Sequence, residues 1–477
     1  MTLFSEAFGI HHTQSELDFV NVPIDGDIPL FIDPFAISQR VDRWSHDCHL
    51  TLIDFFDRAV QMVRSGNSGQ ALSLLQHLRE PNETRFGLSV AHPRGAGVGR
   101  IQAEQLLDAL TQSSAVRTGF ISSLEECELL IDGIGRDKIS DLTTNIVRSH
   151  LAEYTKDQCL LHGLATRAVA LGPTYSPSSH QWESQYFDLP VAGGRPVLLV
   201  PKAIARYDPA YDHQKYYRDF VLNYLQAEHL ESGSSLVHAL KNGRQVVYKK
   251  DLKALLPCTK ENLFRFSRGH PEVLAHYREH LERLERAGAS SLVEEEDEKL
   301  IAEELAAALT SVHPGGDSAT DYHSLMVGIV EFLFFPGLLY PKKEREIHQG
   351  RKRIDIVMEN GARGGIFEEL HSVRGYPCAF VMFECKNYAT EVANPELDQL
   401  AGRFSPNRGK VGFLCCRSFE DRARFIERCR DTFRDDRGLI VPLEDSTVIQ
   451  LLKLLAEGRR NDVGRVVAEL INEIWFS

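Results

Sequence analysis

Phe380-Val381-Met382-Phe383-Glu384-Cys385-Lys386-Asn387-Tyr388 sets the architecture of the C-terminal third of this chain. Side chains of an extended strand alternate between its two faces. Glu384 and Lys386 therefore share one face, and both charges emerge where a strongly apolar strand, expected over residues 379–385, comes to its end. Upstream, Arg353-Ile354-Asp355-Ile356-Val357 alternates in the same way, within a strand expected over residues 351–358. Arg353, Asp355 and Val357 share a face there, with Ile354 and Ile356 on the other. An acid between two isoleucines of a core strand is costly unless it is paired or bound to a metal. If the two strands are neighbours, Asp355 converges on Glu384 and Lys386.

Outward from these strands the pattern predicts a helix at 321–335, a short strand at 345–348, a helix at 395–404, a strand at 410–416, a helix at 419–433 and a strand at 439–443. Short strands alternating with helices predict an α/β domain over residues 320–450, a small mixed sheet flanked by helices. Residues 451–477 follow as a C-terminal helix. The stretch from Ser311 to Asp321, with Pro314-Gly315-Gly316 within it, marks the clearest boundary in the chain. Before it, residues 1–170 read as a mainly helical domain of unknown role, with amphipathic periodicity at 52–60 and 71–78. Ser140-Asp141 reads as a helix N-cap. Residues 171–310 read as a middle region of short strands, at 186–190 and 196–202, followed by charged helices. The whole is a multidomain α/β protein.

The 477 residues are 43% apolar and 25% charged, ordinary values for a folded soluble chain. The longest apolar run, residues 325–339, is short for a bilayer span and is broken by Glu331 and Pro336. The N-terminus has no basic region followed by an apolar one, so a cytoplasmic location without membrane contact is expected. Nine scattered cysteines form no CxxC pair and point to reduced thiols. The net charge of −13 is unlike that of a protein held on nucleic acid by nonspecific contacts alone. Residues 340–440 nevertheless carry a small positive balance, which leaves the remainder strongly acidic. That remainder fits a solvated surface, a guard against unwanted DNA binding, or a face for a protein partner.

An Asp on one strand, then Glu-x-Lys on the next, resembles the PD-(D/E)XK superfamily of restriction-endonuclease-like nucleases. The match reads Ile354-Asp355 … Glu384-Cys385-Lys386, with Ile354 where the motif name has Pro. A helix bearing an acid, Glu331, precedes it. A helix bearing a glutamine, Gln399, follows it. The resemblance covers residues 320–445 and none of the first 310. It implies a Mg²⁺-dependent endonuclease acting on DNA, most simply double-stranded, with Mn²⁺ able to substitute. It also implies a homodimer or higher homo-oligomer, since duplex cleavage needs two centres. A large N-terminal region fused to such a domain is similar in layout to effectors of prokaryotic restriction and anti-phage defence, which implies a partner protein of such a system.

The residue types suit those roles. Mg²⁺ takes carboxylate oxygens and retained waters, so Asp355, Glu384 and the carbonyl of Cys385 are the candidate ligands, with Glu331 for a second metal or a water. Lys386 would position the water and offset charge, because two adjacent carboxylates oppose the pKa drop a general base needs. Gln399 would touch the phosphate or Lys386. Arg351, Lys352, Arg353, Asn387, Tyr388, Arg403, Arg408 and Lys410 are the candidate DNA contacts, of the kind that holds phosphates without reading bases. The alternative is a catalytically inactive nuclease fold that binds nucleic acid or a protein partner.

Other signals are weaker. Arg94-Gly95-Ala96-Gly97-Val98-Gly99-Arg100 lacks the Gly-Lys-Ser/Thr of a phosphate loop and reads first as a flexible turn. Asp25, Asp27 and Asp33 read first as turn residues. His11-His12 has no ligand spacing. No NTPase motif is present.

Overall fold

The computed structural model describes residues 2–87, 98–286, 295–343 and 355–476. Its largest sheet lies in the C-terminal third. Strands β1 (Leu338–Lys342), β2 (Ile356–Asn360), β3 (Phe380–Lys386), β4 (Val411–Cys416) and β5 (Leu439–Glu444) lie side by side in chain order. β1, β2 and β3 are antiparallel, whereas β3, β4 and β5 are parallel. Parallel neighbours need a crossover, and helices Asn394–Ala401 and Arg422–Arg434 supply the two required here. All six residues of β4 are buried, which is why it is a continuous apolar run rather than an alternating one. Gly409 lets β4 enter beside β3, since a Cβ there would collide with the carbonyl of Phe380.

The expected mixed α/β organisation is present. β1 was not expected: it falls between the helix expected at 321–335 and the strand expected at 345–348, and Pro341 interrupts its apolar run. Proline is tolerated on an edge strand, and β1 is one. The strand expected at 345–348 lies outside the described residues, as do the first residues of the strand expected over 351–358. The glycine-rich stretch at 94–97 lies outside them too. Ser140 and Asp141 fall inside helix Arg136–Ile146 rather than at its start, and Ser140 Oγ accepts from the backbone N–H of Ile32.

Apolar residues gather in two large cores. One runs from Phe4 to Leu281 and takes in Leu339 and Tyr340. The other runs from Ile301 to Ile474, with Leu161. Residues on both sides of position 170 share the first core, so the expected divide there separates no cores. The last helix, Arg460–Trp475, packs in the second core instead of standing apart.

β1 joins the two. A register shift opposite β2 and a positive φ of 52° at Tyr340 turn that side chain away from its own sheet. The Tyr340 hydroxyl meets Ser45 Oγ at 2.9 Å, and Gln158 Nε2 donates to the carbonyl of Pro341 at 2.8 Å. The exposed edge that a lone sheet would present is thereby covered. Beneath it sits a buried ionic group. Lys202 Nζ lies 3.0 Å from Glu331 Oε1. Asp18 accepts from the Tyr154 hydroxyl at 2.6 Å and from the Tyr340 N–H at 3.1 Å.

Burial pushes the Glu331 carboxyl up to about 8, with Lys202 opposing and Asp18 adding to the shift. A folded-state pKa above the unfolded one means stability present below the unfolded value and lost as pH rises through the folded one. The thermal midpoint should therefore decline between pH 5 and 8.5, and Glu331→Gln should flatten that decline; an unchanged slope in the variant would contradict the assignment. Above about pH 8, where Glu331 is charged, Lys202→Met leaves Asp18 and Glu331 buried without their cation and should destabilise the protein by about 3–5 kcal/mol, measured by denaturant unfolding.

Candidate active site

The antiparallel register of β2 and β3 pairs Ile356 with Phe383. One residue further on, Asp355 comes level with Glu384. The backbone N–H of Cys385 donates to Asp355 Oδ2 at 2.7 Å, which holds this half-buried acid against β3. Glu384 is 1% exposed. Lys386 Nζ lies 2.7 Å from Glu384 Oε1, as expected of residues two apart on one strand face. Arg403 Nη1 grips Glu384 Oε2. Helix Asn394–Ala401 brings Gln399 alongside, with Lys386 Nζ 3.4 Å from its Oε1. Tyr388 is exposed, with Lys386 Nζ 6.0 Å from its ring centre. Asp355, Glu384, Lys386 and Gln399 therefore meet at one end of the sheet.

Burial pushes the Glu384 carboxyl up, Asp355 adds to this, and Lys386 and Arg403 oppose it. At Lys386, burial acts to lower the pKa, but Glu384, Tyr388 and Asp355 outweigh it and the net direction is upward. Lys386 is held as a cation, the state suited to charge stabilisation and unsuited to a general base.

Several candidates lie elsewhere. Glu331 is not at this site. The helix Ala319–Phe334 reaches the site through His323, whose Nε2 lies 3.4 Å from the carbonyl oxygen of Asp355. Glu331 is eight residues further along, about 12 Å by helical rise, and is paired with Lys202. Arg403 is no rim contact either: it is 5% exposed and bound to Glu384. Asn387 is 6% exposed, and its Nδ2 donates to the carbonyls of His313 and Gly315 at 3.0 and 2.8 Å. It anchors the chain boundary instead of facing a ligand. Lys410 pairs with Asp436 at 2.9 Å. It precedes Val411, which is level with Val381 at the start of β3, so it lies about 20 Å along the strands from Lys386. Arg408, exposed in the adjoining turn, is at that far end as well. Arg351, Lys352 and Arg353 fall outside the described residues.

Arg403 was expected as a DNA contact and its hold on Glu384 was not foreseen; His323 was missed altogether. Arg403 follows Gln399 by four positions, in the turn just after the helix Asn394–Ala401. His323 carries no sequence signal beyond its place in the helix that holds Glu331.

As a metal site the donor set is lean. Among the described residues no three His, Cys, Asp or Glu side chains are grouped to hold an ion. Asp355 and Glu384 offer two carboxylates, which suffices for Mg²⁺ because that ion keeps several waters and takes substrate phosphate oxygens. All nine cysteines are free thiols. No helix among the described residues is long and apolar enough to cross a membrane.

Asn387→Ala should destabilise the fold by about 1–3 kcal/mol, by removing the two hydrogen bonds that the buried Asn387 amide makes to the carbonyls of His313 and Gly315, and leave DNA affinity of the folded protein unchanged. Calorimetric unfolding and a binding titration check the two halves, and weakened DNA binding by stably folded variant would return Asn387 to the ligand face.

A family described as a domain of unknown function (DUF8370) matches residues 9–212, somewhat less than half of the chain and wholly within the first core's span. No curated protein matches the chain. No solved structure matches it. What the comparisons establish is therefore a likeness of the N-terminal region to that family.

Proposed function

We propose that this protein is a Mg²⁺-dependent endonuclease of the PD-(D/E)XK type, hydrolysing phosphodiester bonds of double-stranded DNA. One observation carries this reading: Asp355, Glu384, Lys386 and Gln399 come from three separate elements and converge at one end of the five-stranded sheet.

A divalent ion held by Asp355, Glu384 and the Cys385 carbonyl would polarise the scissile phosphate and lower the pKa of a bound water. Lys386, charged and steered by Gln399, positions that water and balances the extra negative charge of the transition state. Arg403 opposes the upward push that burial gives the Glu384 carboxyl, which must be ionised to act as a ligand. Tyr388 faces solvent beside Lys386, where it can pack against substrate. Arg351, Lys352 and Arg353 lead into Asp355 in sequence and would track the DNA backbone. Two such centres, as in a homodimer, would cut both strands. The layout fits an effector of prokaryotic restriction or anti-phage defence.

Purified protein with Mg²⁺ or Mn²⁺ should nick or linearise plasmid DNA. Asp355→Ala, Glu384→Ala and Lys386→Met should each reduce cleavage by about a hundredfold or more; activity surviving all three would defeat the site assignment. A second reading draws on the fact that Lys386 and Arg403 already engage both oxygens of Glu384. A nuclease fold without catalysis would bind DNA but show no Mg²⁺ binding by calorimetry.

A further inference from the structure

Residues 237–256, Val-His-Ala-Leu-Lys-Asn-Gly-Arg-Gln-Val-Val-Tyr-Lys-Lys-Asp-Leu-Lys-Ala-Leu-Leu, carry five lysines and arginines against Asp251 alone, in a chain whose net charge is −13. They fold into a tight hairpin, His238–Ala239 paired with Gln245–Val246, followed by helix Lys249–Leu255. The hairpin tip is set by Asn242-Gly243, with Gly243 at φ +78° and the Leu240 N–H donating to the Arg244 carbonyl at 2.8 Å. His238 ties hairpin to helix through Asp251 Oδ2 at 3.2 Å and lies 5.2 Å from the Tyr248 ring. Val247 and Leu252 anchor the unit in the first core.

Lys241 and Arg244 project at the tip. Lys250 and Lys253, three apart, share one side of the helix. All four are exposed, and among the described residues none has a carboxylate within ion-pair distance. Lys250 instead lies over the Tyr248 ring, 5.4 Å from its centre. Unpaired cations held on a rigid frame, in a protein otherwise rich in carboxylates, are free to exchange their counterions for a polyanion.

We propose that this hairpin and helix form a second nucleic-acid contact, which docks the backbone of duplex DNA away from the cleavage centre. The choice of a polynucleotide among polyanions rests on the nuclease reading of the C-terminal site. A ribbon and a helix are the two elements that a DNA groove admits, and contacts of this kind fix position without reading bases. A seven-residue helix offers too little apolar face to lie in a membrane surface.

The experiment measures binding of the full chain to a labelled DNA duplex by fluorescence anisotropy, in EDTA, across a salt series. Lys241→Gln, Arg244→Gln, Lys250→Gln and Lys253→Gln combined should reduce the slope of log affinity against log salt by about 3 to 4. Between about 50 and 200 mM salt the wild type should thus weaken about a hundredfold more than the variant. The variant with Lys241, Lys250 and Lys253 all changed to Arg should bind as the wild type does. An unchanged slope in the Gln variant, no DNA binding by the wild type, or capture by phosphatidylserine vesicles in place of DNA would each overturn the proposal. Patch-dependent binding without any Mg²⁺-supported cleavage would support it while refuting the nuclease reading alone. Cleavage with an unchanged slope would do the reverse.

Discussion

A carboxylate at the end of a buried strand has to be neutralised, and the C-terminal site is arranged around that requirement. Glu384 is almost wholly enclosed and lies level with a second acid, Asp355. Removing such a group from water is tolerable only with close cations and satisfied hydrogen bonds. Lys386 comes from the same strand face, Arg403 from the turn after the following helix, and the Cys385 N–H restrains Asp355. Arg403 keeps two buried N–H groups, Nε and Nη2, without protein partners among the described residues.

The same principle governs the junction of the two cores. β1 gives Leu338 to one core and Leu339 and Tyr340 to the other, so neither is complete without the strand. Asp18, Lys202 and Glu331 are sealed beneath it. A buried ionic group of this sort contributes little net stability against an apolar substitute, but it penalises every arrangement that separates its members. The N-terminal region, part of which resembles the DUF8370 family, is thus fixed on the sheet that carries Asp355. His323 lies on the helix that also bears Glu331, and so connects that junction to the candidate site through one rigid element.

The shared face of Glu384 and Lys386 and the candidacy of Asp355 were legible because alternation and strand ends are local properties, written in a few consecutive residues, whereas Gln399 was expected only from the resemblance. Glu331 was misplaced because it also lies in an apolar helix before the motif, and only its partner distinguishes a structural acid from a ligand. Asn387 and Lys410 failed for a related reason. Each is polar and near the motif in sequence, yet one turns inward to cap a loop and the other stands at the opposite end of a strand. β1 escaped notice because edge position, which excuses its proline, is known only once the sheet is assembled.

Taken alone, the chain's sequence determined the period of most of its strands and helices, the acidic balance and the shared face of Glu384 and Lys386. Each of these depends on residues close together or on composition. Tertiary structure alone decided that Arg403 neutralises Glu384, that Lys202 claims Glu331, and that one strand serves two cores. Electrostatic compensation depends on distance in space, and the partners concerned are separated by 19 positions in one case and by well over a hundred in the other.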